Sequence, residues 1–489
     1  MEITIGKFTL ETLTSGMYER PKDIYREYIQ NAVDAIDNAI AQGIVKADKA
    51  QIELGIDKEG RTIRVSDNGT GIGVDYAGKY LLDIGRSPKR FTNARGFRGI
   101  GRLAGLAYCH SLIFETSAAG EDKRTIIEFD AHTLCERMLD EDVDVDLLAL
   151  ITEVVTVKVE QEARTKHYFN VVLTGVEDTD DILDSEKVQE YLEQVAPVDF
   201  DRDFGWGKII KSKLRVFDFV PSSYNISISN GEKSVPVRKA YRDIVISDRL
   251  RKLEDGISDI ETKAFTYEGE IVAYLWYART SFYGTLQNEA IKGLRVRKGN
   301  ILIGDKTTLN HIFKDERFNG WLFGELHILS DRLIPNARRD EMEKNAAYTV
   351  MIEELRTWAD GISSEIRKIS NQRSSDKKAQ RIIEIAQSET ANIESSTTVV
   401  MPEALLNNKS ETEQVNHTDL IAALDILIGT QQSSTKYKAL NLQTNITIEQ
   451  KKVLERVFDI LRGDESQDAN SLVTKIIREF VPKASTLDR

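Results

Sequence analysis

The chain has 489 residues, 41% of them apolar and 30% charged, which suffices for real cores and exceeds what a single domain of about 150 residues usually holds. Its 66 basic residues stand against 79 acidic ones, a net charge of −13, which excludes a global electrostatic grip on nucleic acid or acidic lipid and leaves only a local basic groove. Cys109 and Cys135 form no CxxC pair, so a disulfide framework or zinc site is excluded and a reducing, cytoplasmic setting is expected; with no run of about 18 apolar residues, no membrane span is expected either.

In residues 18–41 the apolar positions Ile24, Tyr28, Ala32, Ala35, Ile36, Ala39 and Ile40 recur at steps of three and four, which predicts an amphipathic helix. QIELGID and TIRVSD alternate around KEGR and predict a hairpin whose second strand runs into Asp67. A glycine-rich stretch over 69–105 is followed by the strand candidates SLIFETS, RTIIEFD and HYFNVVLTGV, and the whole reads as an α+β layer pair. Beyond about residue 200 the strand pattern restarts with KLRVFDFV, YNISIS, GEIVAYLWYA, GLRVRKGNILIG and GWLFGELHIL, predicting a second α/β domain. From Asp340 a helical pattern sets in, with Ala347, Met351, Leu355, Trp358 and Ile362 on one stripe. Residues 388–415 are rich in Ser, Thr, Asn and Glu and read as a linker, and 416–489 contain three short amphipathic helices around Leu420, Leu454 and Ile476.

Three features of the first hundred residues carry chemistry. On the first helix Glu27, Asn31 and Asp34 stand at i, i+4 and i+7, a polar stripe beside the apolar one and hence at the rim of the core. A carboxylate there can take a proton from water and an amide can ligate a metal-phosphate group, although a solvated helix face reads the same way. In VSDNGTGIG a strand delivers Asp67 into turns at Gly69, Gly71 and Gly73, where the backbone can approach a ligand and a carboxylate can accept from an exocyclic amine; a bare tight loop is the alternative. In ARGFRGIGRLAGLAY, Gly96, Gly99 and Gly101 precede an apolar helical run, so exposed N–H groups at its start suit a di- or triphosphate. Arg86, Lys89, Arg90, Arg95, Arg98 and Arg102 surround this segment, and no Walker A loop occurs.

EYIQNAVDA, DNGTGIG and GFRGIGRLAGL, in this order, resemble the N, G1 and G2 boxes of the GHKL superfamily, whose members share the Bergerat ATP-binding fold. The resemblance implies an N-terminal α/β sandwich ATPase domain over 1–200 and a transducer-like middle domain over 205–345, and it stops there; the apolar spacing alone predicts the long helix over 346–387 and the helical C-terminal region over 416–489. Within its reach the resemblance implies that Glu27 activates the attacking water, Asn31 coordinates Mg²⁺ next to Asp34, and Asp67 reads adenine. Gly69, Gly71, Gly73, Gly96, Gly99 and Gly101 would line the nucleotide, and LLDIGRSPKR, with Arg86, would be the lid. GLRVRKGNILIG and DRLIPNARRDEME are similar to the second domain of the heat-shock protein 90 and MORC branches, which puts Arg339 at the catalytic arginine and Asn336 at the loop asparagine, with Arg338 and Lys298 as alternates. The glycine-threonine pair usual before the last strand of such a domain is not evident in KHYFNVVLTGV.

The absence of any histidine before His110 disfavours a histidine kinase. The resemblance therefore implies a Mg-dependent ATPase, chaperone-like and acting on client polypeptides. The alternatives are a MORC- or MutL-like clamp that would hold double-stranded DNA through Arg295, Arg297 and Lys298, and a nucleotide sensor. A homodimer and no membrane partner are expected.

Overall fold

A computed structural model describes residues 20–83, 101–139, 147–231, 233–248, 252–336 and 338–396. The chain divides into two compact units, Met1–Arg367 and Lys368–Arg489. In the second, only the helix up to residue 396 is described, so the amphipathic helices expected over 416–489 lie outside the described residues.

The first element among the described residues of the first unit is helix α1 (Asp23–Ala41). Ile24, Tyr28, Ile29, Ala32, Val33, Ile36 and Ala39 are buried, whereas Ala35 of the expected stripe is half-buried and Ile40 at the helix end is exposed, and Gly43, in the left-handed region at φ 71°, lets the chain turn away at its end. The expected hairpin follows as β1 (Gln51–Asp57) and β2 (Thr62–Asp67). Inward positions alternate, so Ile63, Val65 and Asp67 all point into the core. Helix α2 (Val74–Leu82), a 3₁₀ turn (Gly101–Ala107), β3 (Ser111–Ser117), β4 (Lys123–Asp130), helices α3 (Ala131–Leu139) and α4 (Leu147–Val154), β5 (Val155–Gln161) and β6 (Tyr168–Thr174) complete this half, and α5 (Ser185–Val195) leads out of it.

Helix α6 (Gly207–Arg215) covers the start of KLRVFDFV, where a strand is expected. Ile210 and Leu214, one helical turn apart, are buried, and Phe217 and Phe219 then both pack on the Tyr274 ring. Asp218 between them is at φ 56°, which breaks the strand alternation. Strands β7 (Asn225–Ser229) and β8 (Ser234–Pro236) return to the first layer: the eight-stranded sheet has the order β5-β4-β3-β6-β2-β1-β7-β8, antiparallel except for β1 against β7. Residues expected in the second domain thus edge the first sheet.

The second layer holds a hairpin, β9 (Ile244–Ser247) with β10 (Leu253–Gly256), and a five-stranded sheet. The latter comprises β11 (Asp259–Tyr267), β12 (Glu270–Arg279), β13 (Gly293–Lys298), β14 (Ile301–Ile303) and β15 (Phe323–Ile328), in the order β11-β12-β15-β13-β14. Helix α7 spans Ala346–Ser396. It starts later than the helical pattern at Asp340 and runs past residue 388, where a linker is expected; Ala347, Met351, Leu355 and Ile362 are buried as the stripe requires.

At the centre of β15 the Glu325 carboxylate is completely buried. It accepts hydrogen bonds from Lys239 Nζ at 2.7 and 2.8 Å, Tyr241 Oη at 3.2 Å, Trp276 Nε1 at 3.3 Å and His327 Nε2 at 3.1 Å, and pairs with Arg297. Lys239 follows β8, and Arg297 also donates to the carbonyl of Gln194 in α5 at 2.7 Å. This hub therefore fastens the second sheet to segments continuous with the first. Burial, reinforced by the Arg297 charge, pushes the Lys239 ammonium down to about 7. Burial works against ionisation of Glu325, yet Arg297 and Lys239 hold it well below the usual carboxylate range.

Lys239 loses its proton at lower pH in the folded chain than in the unfolded one, whose ordinary value is 10.5. Between those values the unfolded state binds more protons, so stability rises with pH. We expect wild type to gain stability over Lys239→Met from pH 7 toward pH 10, with a slope approaching about 1.4 kcal/mol per pH unit. Denaturant titration at several pH values checks this, and a pH-independent difference would show that Lys239 keeps its charge throughout.

Candidate nucleotide site

Helix α1 brings Glu27, Asn31 and Asp34 to one rim of the core: Glu27 is 8% and Asp34 4% exposed, and Asn31 is half-buried. Glu27 Oε1 lies 3.6 Å from Arg26 Nε and 3.6 Å from Arg339 Nε. The residue before the carboxylate and a residue 312 positions later thus converge on it.

Asp67, 5% exposed, is the last inward position of β2, and its Oδ1 accepts the Gly69 N–H at 2.8 Å. A Cβ on Gly69 would come within 2.7 Å of the Ala35 backbone, so the loop after Asp67 rests directly on α1, beside the turn that carries Asp34. Gly71 is at φ 60°, and a Cβ there would overlap the Ser117 carbonyl at the end of β3. Thr116 Oγ1 accepts the Ile72 N–H at 2.8 Å. Gly73 leaves room for Glu121, whose carboxylate accepts the Val74 N–H at 2.9 Å and caps α2. Just before β6, His167 Nδ1 stands 2.8 Å from the Gly69 carbonyl oxygen.

Gly101 opens the 3₁₀ turn of seven residues, not the α-helix expected at that point. The turn packs on α1 through Gly105, whose N–H donates to Tyr28 Oη at 2.9 Å. Arg102 donates to the carbonyls of Leu81 and Asp83, and so holds the end of α2; burial pushes its guanidinium down to about 10, although Asp83 opposes this. Arg86, Gly96 and Gly99 lie outside the described residues.

Arg339 belongs to a tight loop of the second layer. Pro335 bridges Met342, Glu343 N–H donates to the Ile334 carbonyl at 2.7 Å, and Asn336 N–H donates to that of Glu341 at 2.9 Å. Arg339 itself is in the left-handed region at φ 56°, a strained conformation that persists only when the surroundings enforce it. Here its carbonyl accepts from Gly304 N–H at 2.8 Å, while Arg26 Nη2 donates to the Arg338 carbonyl at 3.1 Å. Asn336 donates to Asp340 within the same loop. Lys298 Nζ donates to the carbonyls of Ser330 at 3.0 Å and Leu333 at 2.9 Å, and so secures the turn that leads into this loop. Arg295 and Arg297 are only 2% and 1% exposed, which removes them as contacts to DNA phosphates.

Residues 23–161 match the family of histidine kinase-, DNA gyrase B- and HSP90-like ATPases. This segment is a GHKL ATPase domain. Chaperone protein HtpG of Burkholderia ambifaria is 31% identical over 134 residues, covering 23% of this chain and 21% of the relative. That of Acinetobacter baylyi is 28% identical over 129 residues, covering 23% and 20%, and that of Bordetella pertussis 38% over 90 residues, covering 17% and 14%. The matched stretch is about a fifth or less of the length of these curated relatives.

Sequence reasoning overlooks His167, Thr116 and Glu121, which hold the Asp67 loop. Thr116 and Glu121 leave no local signal, since strand pairing and a chain reversal bring them to the loop. Gly71→Ala should destabilise the chain by at least about 2 kcal/mol, because the backbone is strained for any L residue and the new Cβ has no room. An unchanged denaturation midpoint would refute this account of the loop.

Proposed function

We propose that the chain binds ATP against α1 and the 67–73 loop and hydrolyses it, and that turnover changes the contact between the GHKL domain and the second layer. The observation that carries this reading is the ion pair of Arg339 with Glu27, which brings a basic residue of the second layer to the carboxylate best placed to act as general base. Asp67 accepts a hydrogen bond from the exocyclic amine of adenine, and the glycines at 69 and 71 let the loop after it pack against α1 and the end of β3. With a phosphate chain present, Arg339 exchanges Glu27 for the phosphoryl oxygens and stabilises charge developing there, leaving Glu27 to take the proton from the attacking water. Asn31, one turn from Glu27, fits a Mg²⁺ held mainly by the nucleotide: among the described residues no three His, Cys, Asp or Glu side chains are grouped to hold a metal alone. Bound there, Mg²⁺ neutralises phosphate charge. The lid expected over LLDIGRSPKR falls mostly outside the described residues, and its closure over ATP is part of the proposal on the family resemblance alone.

A polypeptide client is the proposed substrate, by analogy with the HtpG relatives and because the net charge is acidic and Arg295 and Arg297, two of the three expected DNA contacts, are buried. Phosphate release by the purified chain provides the test. Glu27→Ala should retain ATP binding and lose turnover by about 100-fold or more, and Arg339→Ala by a comparable factor. Full turnover in either variant removes that residue from the mechanism, and stimulation by double-stranded DNA that fades steeply with salt would replace the client with DNA. We also propose a homodimer, as expected of this superfamily. Light scattering with a non-hydrolysable ATP analogue should give twice the chain mass, and a monomer with and without the analogue would overturn the proposal.

A further inference from the structure

The Gly69 backbone is held at both of its polar groups. Its N–H donates to Asp67 Oδ1 at 2.8 Å, and its carbonyl lies 2.8 Å from His167 Nδ1. A carbonyl oxygen only accepts, so Nδ1 carries the proton and the ring is fixed as donor toward Gly69. On the side where a Cβ would stand Gly69 is tightly packed, since that Cβ would come to 2.7 Å from both the Ala35 backbone and Asp67 Oδ1. One residue thus links the His167 ring, through its carbonyl, to the Asp67 carboxylate, through its N–H. Strand pairing places the two anchors together: Asp67 pairs with Phe169, so His167 extends β6 just past the end of β2 where Asp67 enters the loop.

We propose that His167 is a positioning residue for base recognition: by holding the Gly69 carbonyl it aims the Asp67 carboxylate at a donor on the six-position of a purine, and so sets the preference of the site for adenine over guanine nucleotides. The chemistry discriminates because adenine carries an amine at that position, which donates to a carboxylate, whereas guanine carries a carbonyl, which a carboxylate repels. A carboxylate free to rotate away from that position loses this contrast. The inference rests on the reading above that Asp67 faces the base.

Two substitutions separate the donor from the bulk of the ring. In His167→Asn the side-chain amide nitrogen sits at the same bond distance from the backbone as Nδ1 and can still donate to Gly69; His167→Leu has the same branched outline and no donor. Binding of ATP and of GTP to the full chain is measured by titration calorimetry, together with phosphate release across ATP concentrations. The leucine variant should bind ATP about 5- to 10-fold more weakly, the cost of one buried hydrogen bond, with the ATP-to-GTP affinity ratio narrowed by a similar factor and the loss appearing in KM more than in kcat. Asparagine should restore most of the affinity and the ratio. The proposal is overturned if leucine matches wild type, if asparagine loses as much as leucine, or if ATP and GTP weaken equally. His167→Ala serves for the comparison should the leucine variant not fold. Failure of wild type to bind ATP at all would instead sink the nucleotide reading, a result visible before any substitution.

Discussion

The second layer of this protein is organised around one carboxylate. Glu325 sits at the middle of the five-stranded sheet and gathers Lys239, Tyr241, Trp276, Arg297 and His327. An ion pair so deeply buried gives back in attraction little more than its desolvation costs, so its main contribution is geometric: it draws five side chains from several segments to one point, even though His327 Nδ1 is left without a hydrogen-bond partner among the described residues. Because Lys239 and the Gln194 carbonyl belong to segments continuous with the first sheet, that geometry fixes one layer against the other. Lys298, the next residue along β13 from Arg297, then fastens the turn at 330–333, and through it the loop that carries Arg339 to Glu27.

The arginines illustrate how burial, rather than sequence context, assigns a role. Arg295 and Arg297 lie in a basic run that reads as a nucleic-acid patch, yet both are enclosed and bond to carbonyl groups, Gln194 and Glu325. Arg102, in what reads as a phosphate-binding segment, ties down α2. Arg26 and Arg339 approach the same carboxylate from two layers. Charge density along the chain does not distinguish these cases; the partner each guanidinium meets does.

Features with a local period were legible in the sequence. The helix α1, the β1–β2 hairpin and β3 stand where helical spacing or alternation puts them, and β6, β12 and β13 stand in the apolar runs that read as strands. Residues 27, 31, 34 and 67 gather on the rim of one core because a helix face and the end of a strand are both fixed by local sequence. What was not legible depends on distant partners. β5 is an edge strand exposed along most of its length, so it shows little contrast between its faces. The aromatic alternation of KLRVFDFV resembles a strand, but helix α6 and a left-handed Asp218 satisfy it better against Tyr274. His167 acquires its role only when β6 pairs with β2.

The annexation of β7 and β8 by the first sheet bears on how such a protein can be inherited. An ATPase unit cut at residue 200 would bare the β1 edge, with its row of backbone donors and acceptors and the apolar Ile52, Leu54 and Ile56 alongside. The two layers are therefore not cassettes that recombination can swap at a linker. A lineage that replaced the second layer would have to supply, in the same event, a new strand to seal the first.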